Sequence, residues 1–200
     1  DLILVKGINE FEFLGGTLDD AAGEAFDKTA RLLGLSSYLG ASELSQLAST
    51  CKKNTLSGFL PRPMINSKNY DFSFSGLKTA AKNLINKNEY EKNVIACEFE
   101  NAVCDVLVKK CIDASIEHNV KSIFLGGGVS ANKQLRTRLS LESKINSFNL
   151  FIPSLDLTGD NAVYIATAAY FSINGTLDNF TNKRYDQINA IPNLEITGLV

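Results

Sequence analysis

Apolar residues in the opening stretch come as short or alternating runs, Leu2 to Val5 and then Glu10 to Leu14, joined through Lys6-Gly7-Ile8-Asn9. That spacing predicts a β-hairpin entering Gly15-Gly16. The period then changes. Ala22, Phe26, Ala30 and Leu33 fall on one face of a helix and Asp20, Glu24, Asp27 and Arg31 on another, with Thr17 and Asp20 in capping-box spacing and Gly34 as the C-terminal glycine. A short helix is expected from about Ser42 to Cys51, and Pro61-Arg62-Pro63 must be extended, because each proline disfavours helix in the residue before it. A helix from about Gly76 to Asn86 follows, with Ser73 or Ser75 able to cap it. Residues 86–92, NKNEYEK, form a polar connection and a candidate boundary between lobes.

The longest helix is predicted from about Val94 to Glu117, with apolar residues on more than one face, so it should be largely buried. His118 ends it where a cation suits the dipole. Ser122 to Leu125 reads as a strand running into Gly126-Gly127-Gly128, with a helix beginning near Ser130. Phe148 to Ile152 reads as another strand, stopped by Pro153, and Thr158-Gly159-Asp160-Asn161 opens an apolar helix through Ala169. The order of strand and helix after about residue 120 implies parallel α/β layers. Beyond Gly175 the chain is polar, with an edge strand expected near Asn189 to Ile196.

Composition narrows the class. Two hundred residues with 44% hydrophobic content can bury a substantial core, and a net charge of −2 excludes a polyanion footprint over the whole surface. RNA contact, if made, is local. No apolar run reaches the roughly 18 residues of a membrane span, and no signal-peptide pattern opens the chain, so a cytoplasmic location is expected. Cys97, Cys104 and Cys111 recur every seven residues along the long helix, a spacing of roughly 10 Å that suits reduced core thiols better than a disulfide or shared metal. The chain opens Asp-Leu-Ile-Leu-Val and its one methionine is Met64, so translation is expected to begin upstream of Asp1.

Several side chains are candidates for chemistry. The aligned carboxylates Asp20, Glu24 and Asp27 repel one another at helical spacing; by spacing alone they read as a solvated acidic face closed by Arg31. Arg62 reads as an exposed loop arginine or a phosphate contact. The strand, glycine turn and helix start at 122–130 form an arrangement through which backbone N–H groups approach a phosphate or nucleotide. Asp160 is equally placed to cap its helix or to project as a ligand.

Five stretches occur together: LDDAAGEAFDK at Leu18 to Lys28, PRPM at Pro61 to Met64, DFSFSGLKT at Asp71 to Thr79, GGGVSAN at Gly126 to Asn132, and GDNAVYIA at Gly159 to Ala166. In kind and in order they resemble the tRNA N6-adenosine threonylcarbamoyltransferases. The resemblance implies an α/β, actin-like (ASKHA, ribonuclease-H-like) nucleotide-binding fold, incomplete at the N-terminus. Residues 1–120 would be the remainder of a first lobe with a helical insertion, and 121–200 a C-terminal actin-like lobe. Asp27 and Gly40 match positions that hold the adenylate, Asn132 a residue that contacts the nucleotide, and Asp160 a ligand of one divalent metal, iron or zinc. The family usually has Glu at the place of Gly16 and Pro-Gly-Gly at Leu39-Gly40-Ala41.

The implied reaction moves the threonylcarbamoyl group of threonylcarbamoyl-adenylate to N6 of the adenosine beside the tRNA anticodon. The implied partners are tRNA, a smaller actin-like paralogue and a P-loop ATPase. The family's His-x-x-x-His metal pair, early phosphate loop and Ser-Gly-Gly-His stretch all precede the matched region, so the chain alone is expected to be inactive. The alternative is a non-catalytic actin-like scaffold subunit of the same modification complex.

Overall fold

The computed structural model describes residues 1–8, 10–35 and 40–172. The edge strand expected near Asn189 to Ile196 lies outside them. The opening hairpin forms as expected: β1 (Leu2–Gly7) pairs antiparallel with β2 (Glu10–Gly15), with Ile3 opposite Phe13 and Val5 opposite Phe11. Gly15 is needed for close approach, because a Cβ there would stand 2.4 Å from the carbonyl carbon of Tyr70. That contact brings the 70–75 stretch alongside the hairpin exit. Phe72 donates its N–H to Gly16 O at 2.8 Å and accepts from Leu18 N at 2.9 Å.

Helix α1 (Ala22–Leu32) begins later than the Thr17-Asp20 spacing predicts. The Thr17 hydroxyl instead donates to Asp20 O, tightening the turn before the helix, and Glu24 accepts from Ala21 N at 3.3 Å. Only that half of a capping box exists, since Ala21 has no side-chain acceptor. The C-terminal end is as read: Gly34 takes φ +78°, and Leu35 N closes back on Ala30 O.

Helix α2 (Gly40–Ser49) packs on α1, and α3 (Ser75–Lys87) leads through a tight turn at Asn88, φ +54°, into α4 (Lys92–Glu117). Both sides of that turn, from Phe74 and Leu77 to Ile95 and Phe99, enter one core with Phe26, Leu33, Leu44 and Leu56. The polar 86–92 connection therefore joins two helices of one core. Polarity there reflects exposure of a tight connection. Helix α4 is buried over most of its length, and a second cluster (Cys104, Val108, Ile112, Ile123, Leu135, Leu139) forms on its later half. There β3 (Ser122–Phe124) and β4 (Asn149–Phe151) pair in parallel around α5 (Lys133–Ile145), a small instance of the predicted α/β layering. His118 ends α4 as expected, its N–H bonded to Ala114 O at 3.0 Å.

Helix α6 (Ala162–Ser172) closes the described chain, with Val163, Ile165, Tyr170 and Phe171 exposed. Among the described residues no helix is long and apolar enough to cross a membrane.

Two buried charges hold loops onto α4. Glu98 is fully buried and accepts from Asn54 Nδ2 at 2.8 Å, Gly58 N at 2.9 Å and Arg62 at 2.5 Å. Arg62 also pairs with Asp105 at 2.8 Å. The exposed-loop reading of Arg62 is corrected: its side chain is 17% exposed and bridges two carboxylates. Lys110, 2% exposed, donates to Ser67 Oγ and to the carbonyls of Asn69 and Asp71, which fixes the start of the DFSFSG stretch.

Candidate nucleotide site

The acidic face of α1 is a set of joints. Asp20 is clasped by Lys28 at 2.5 Å and Lys78 at 2.8 Å, and these hydrogen bonds hold its carboxyl below the usual range. Lys28 also pairs with Glu24 at 2.7 Å. The like charges are thus separated by interleaved lysines from α1 and α3 rather than left to repel in water. The 71–79 motif contributes Lys78 to this arrangement, which ties it to the 18–28 motif.

Asp19 takes the larger part of that tie. Its carboxylate accepts from the hydroxyls of Ser73 and Ser75, both at 2.6 Å, from Phe74 N at 2.8 Å and from Ser75 N at 3.2 Å. Desolvation alone would raise its pKa, but the hydrogen bonds from Ser73, Ser75 and the two backbone amides prevail and hold it well below the ordinary carboxylate value. Ser73 and Ser75 therefore do not cap α3. That role passes to the Asp19 carboxylate, whose negative charge at the start of the helix suits the dipole. Sequence reasoning named Asp20 and passed over Asp19; its signal was the adjacent pair Asp19-Asp20 ahead of a helix.

Asp27 projects from α1 to the first turn of α2, where its Oδ1 accepts from Ala41 N at 2.7 Å. Gly40 sits against it: a Cβ there would lie 3.1 Å from both Asp27 Oδ1 and Ala30 Cβ, so glycine permits the close approach of the two helices. One turn on, Ser45 accepts from Asn132 Nδ2 at 3.0 Å, and Asn132 also donates to Glu100 at 2.7 Å. The Asn132 Oδ1 caps α5 by accepting from Leu135 N at 2.8 Å. Asp27, Gly40 and Asn132 are thus assembled around α2 by Ala41 and Ser45. The amide of Asn132 is already occupied by Ser45, Glu100, Leu135 N and, at 3.9 Å, Cys104. Its visible role is to join α2, α4 and α5.

The glycine triplet opens on the same region, since a Cβ on Gly23 of α1 would meet Val129 at 3.3 Å. Gly127 has φ +77°, the left-handed conformation that favours glycine, and a single 3₁₀ turn (Gly128–Ala131) follows before α5. The helix start expected near Ser130 is that turn, and α5 proper begins at Lys133. Added Cβ atoms on Gly126, Gly127 and Gly128 would meet nothing within 4 Å. Crowding by the protein does not require these glycines. They leave space at the strand end that a ligand's approach can use.

Asp160 stands apart. The N-cap of α6 is Asn161, whose Oδ1 accepts from Val163 N at 3.1 Å and Tyr164 N at 3.2 Å. The capping alternative for Asp160 is thereby removed, and its exposed side chain takes no hydrogen bond from any described residue. Among the described residues, no three or more His, Cys, Asp or Glu side chains are grouped to hold a metal ion. Asp160 alone is not a metal centre, because such centres take about three protein ligands.

A family model described as tRNA N6-adenosine threonylcarbamoyltransferase matches residues 1–167. Proteins of that name are similar over nearly the whole chain: one from Thermosipho africanus is 41% identical over 199 residues, covering 98% of this chain and 58% of its own length. One from Listeria innocua is 44% identical, covering 97% of this chain and 56% of its own length, and one from Nitrosomonas eutropha is 48% identical, covering 84% and 49%. The chain spans about half the length of these relatives. The match over residues 1–167 and the identities of 41 to 48% place this chain in the tRNA N6-adenosine threonylcarbamoyltransferase family.

Proposed function

We propose that this chain is the nucleotide-holding portion of an enzyme that transfers a threonylcarbamoyl group from threonylcarbamoyl-adenylate to N6 of an adenosine in tRNA. The observation that carries the reading is the linked series Asp27, Ala41, Ser45 and Asn132 beside the open Gly126–Gly128 turn. It holds α1, α2 and the start of α5 together next to a glycine turn that the protein leaves uncrowded, an arrangement that suits a sugar and its nucleotide. The fold proposed is the actin-like α/β fold, with the lobes meeting near residue 120.

In this reading one Asp27 oxygen holds α2 in place, and the other, which takes no hydrogen bond from any described residue, accepts from a ribose hydroxyl. A neutral hydroxyl is the partner the carboxylate prefers, because a phosphate so close would be repelled. The Gly127 turn lets the nucleotide lie against the backbone. In the transfer, the exocyclic amine nitrogen bonds to the carbamoyl carbon, the carbon–oxygen bond to the adenylate phosphate breaks, and AMP leaves. These residues contribute position to that step. A divalent metal, iron or zinc, would add Lewis-acid polarisation, and Asp160 is the described residue proposed to reach toward it. The partners proposed are tRNA, a smaller actin-like paralogue and a P-loop ATPase, in the cytoplasm.

The test is calorimetric titration of AMP into the purified chain and into Asp27→Ala. Binding by the parent with at least a roughly tenfold loss in the variant is expected, as for removal of a charged hydrogen-bond acceptor. Equal affinity in the two would overturn the placement of the nucleotide at Asp27.

A further inference from the structure

Arg136 is half-buried in the first turn of α5, where its backbone N–H donates to Asn132 O at 3.1 Å. Its guanidinium pairs with no carboxylate of the described residues and is given instead to two main-chain carbonyls. Nε donates to Ser130 O at 2.5 Å and Nη2 to Pro153 O at 2.9 Å. Ser130 is fully buried in the 3₁₀ turn that follows the glycines, with its N–H on Gly127 O at 3.0 Å. Pro153 stands just past β4 and has no N–H to donate, so the last bond between the two parallel strands is Leu125 N to Phe151 O, at 2.9 Å.

From Pro153 onward the chain bonds to itself. A single 3₁₀ turn (Leu155–Leu157) sets Leu157 N on Ser154 O at 3.0 Å, the Thr158 hydroxyl donates to Leu155 O at 2.8 Å, and Asn161 Nδ2 donates to Gly159 O at 2.9 Å. Among the described residues, the contact of Arg136 with Pro153 is the one hydrogen bond between the stretch 153–172, which carries Asp160, and the rest of the chain.

We propose that Arg136 is a positioning residue: it holds the arm that bears Asp160 at a fixed place relative to the glycine turn, so that a nucleotide seated at Gly126–Gly128 also restrains Asp160. The residue type suits the task. A guanidinium is a planar fork whose N–H directions are fixed relative to one another, so one group sets the separation of two carbonyls. Its charge makes each of those hydrogen bonds stronger than a neutral one. A lysine is a point charge on a flexible stem and cannot impose the same geometry.

The root of the fork is itself well held. Asn132, whose carbonyl receives the Arg136 N–H, is bonded through its side chain to Ser45 of α2 and Glu100 of α4. A continuous series therefore runs from α2 through Asn132 and Arg136 to Pro153, and Asp160 follows seven residues later. A group carried on an arm with a single tie contributes position to a reaction only as far as that tie is rigid. The link to a bound nucleotide rests on the site proposed above, whereas the hold of Arg136 on residues 153–161 does not.

The experiment follows amide hydrogen exchange by mass spectrometry in the full chain, in Arg136→Ala and in Arg136→Lys, each with and without saturating AMP, whose affinity is measured separately by calorimetry. Without AMP, peptides covering 153–161 should exchange about tenfold faster in Arg136→Ala, from the loss of one charged hydrogen bond, while peptides of α4 exchange as in the parent. With AMP, the parent should slow at 126–131 and at 153–161 together, and both variants should slow at 126–131 alone. Arg136→Lys keeps the charge and should bind AMP as the parent does, so its lost response at 153–161 isolates the geometry of the fork. Equal exchange at 153–161 in the parent and Arg136→Ala overturns the proposal, as does a variant in which that stretch still slows with AMP. A parent that binds no AMP overturns the nucleotide reading and the coupling with it, while the comparison without AMP still decides the hold on the arm. Should Arg136→Ala fail to fold, Arg136→Lys carries the same comparisons.

Discussion

The carboxylate of Asp27 on α1 receives the N–H of Ala41 in the first turn of α2, at 2.7 Å. A helix usually obtains this service from its own N-cap side chain; here a neighbouring helix supplies it. The same contact lies where Gly40 comes up against Ala30, so close that an added Cβ would stand 3.1 Å from the Ala30 Cβ.

Asp27→Ala therefore removes both a charge at the positive end of α2 and one satisfied amide. A loss of about 1–2 kcal/mol is expected, read as a lower urea midpoint with unchanged slope. Gly40→Ala should also destabilise, because its Cβ would press on Asp27 and Ala30.

Asp19 ties the acid stability of the protein to the 70–75 stretch. Its folded pKa lies below the ordinary value of 3.8, so its contribution is present above about pH 4 and is lost as pH falls below that value toward the folded pKa. Asp19→Asn should flatten the acid limb of a stability–pH curve while changing little of its shape above pH 6. An acid limb identical to the parent's would show that Asp19 carries none of it.

Asn161 and Asp160 are adjacent and separable. Asn161→Ala should cost about 1 kcal/mol and fray α6, seen as faster amide exchange at Val163 and Tyr164. Asp160→Ala should leave that exchange unchanged. If Asp160 is a metal ligand, the same substitution lowers the metal content of the protein; a scaffold subunit would tolerate it with partner activity intact.

Glu98 is the costliest single change expected. Glu98→Ala removes the buried acceptor shared by Asn54, Gly58 N and Arg62, which keeps Asp105, with a loss of about 1–3 kcal/mol. Glu98→Gln should lose less, since an amide oxygen still accepts from those donors. Thermal unfolding of the two variants side by side measures the difference.

Much of the fold is legible in the sequence because it is local. Alternation in residues 2–14 encodes the hairpin, and apolar residues on several faces of 94–117 encode a buried helix. The caps are less legible. Thr17, Ser73 and Asp160 all have capping chemistry, yet the work is done by Asp19, Asn132 and Asn161, because each choice depends on which backbone lies opposite. Arg62 looks solvated until a glutamate 36 residues later proves to be buried behind it. In the candidate site, Asp27, Gly40 and Asn132 could be named from motif resemblance, but Ser45 and Glu100, which hold Asn132 in place, carry no motif of their own.

The pairing of Gly16 and Leu18 with Phe72 bears on how the chain reaches this structure. Those two hydrogen bonds close a loop that contains α1 and α2 entire, and loop-closure entropy must be met before they return anything. The contacts of α1 with α2, and of α3 with α4 across their tight turn, join nearer segments. Refolding should therefore assemble the helical layers first and seat the hairpin last. In a pulse-labelling experiment the amides of Leu18 and Phe72 should gain protection after those of α4.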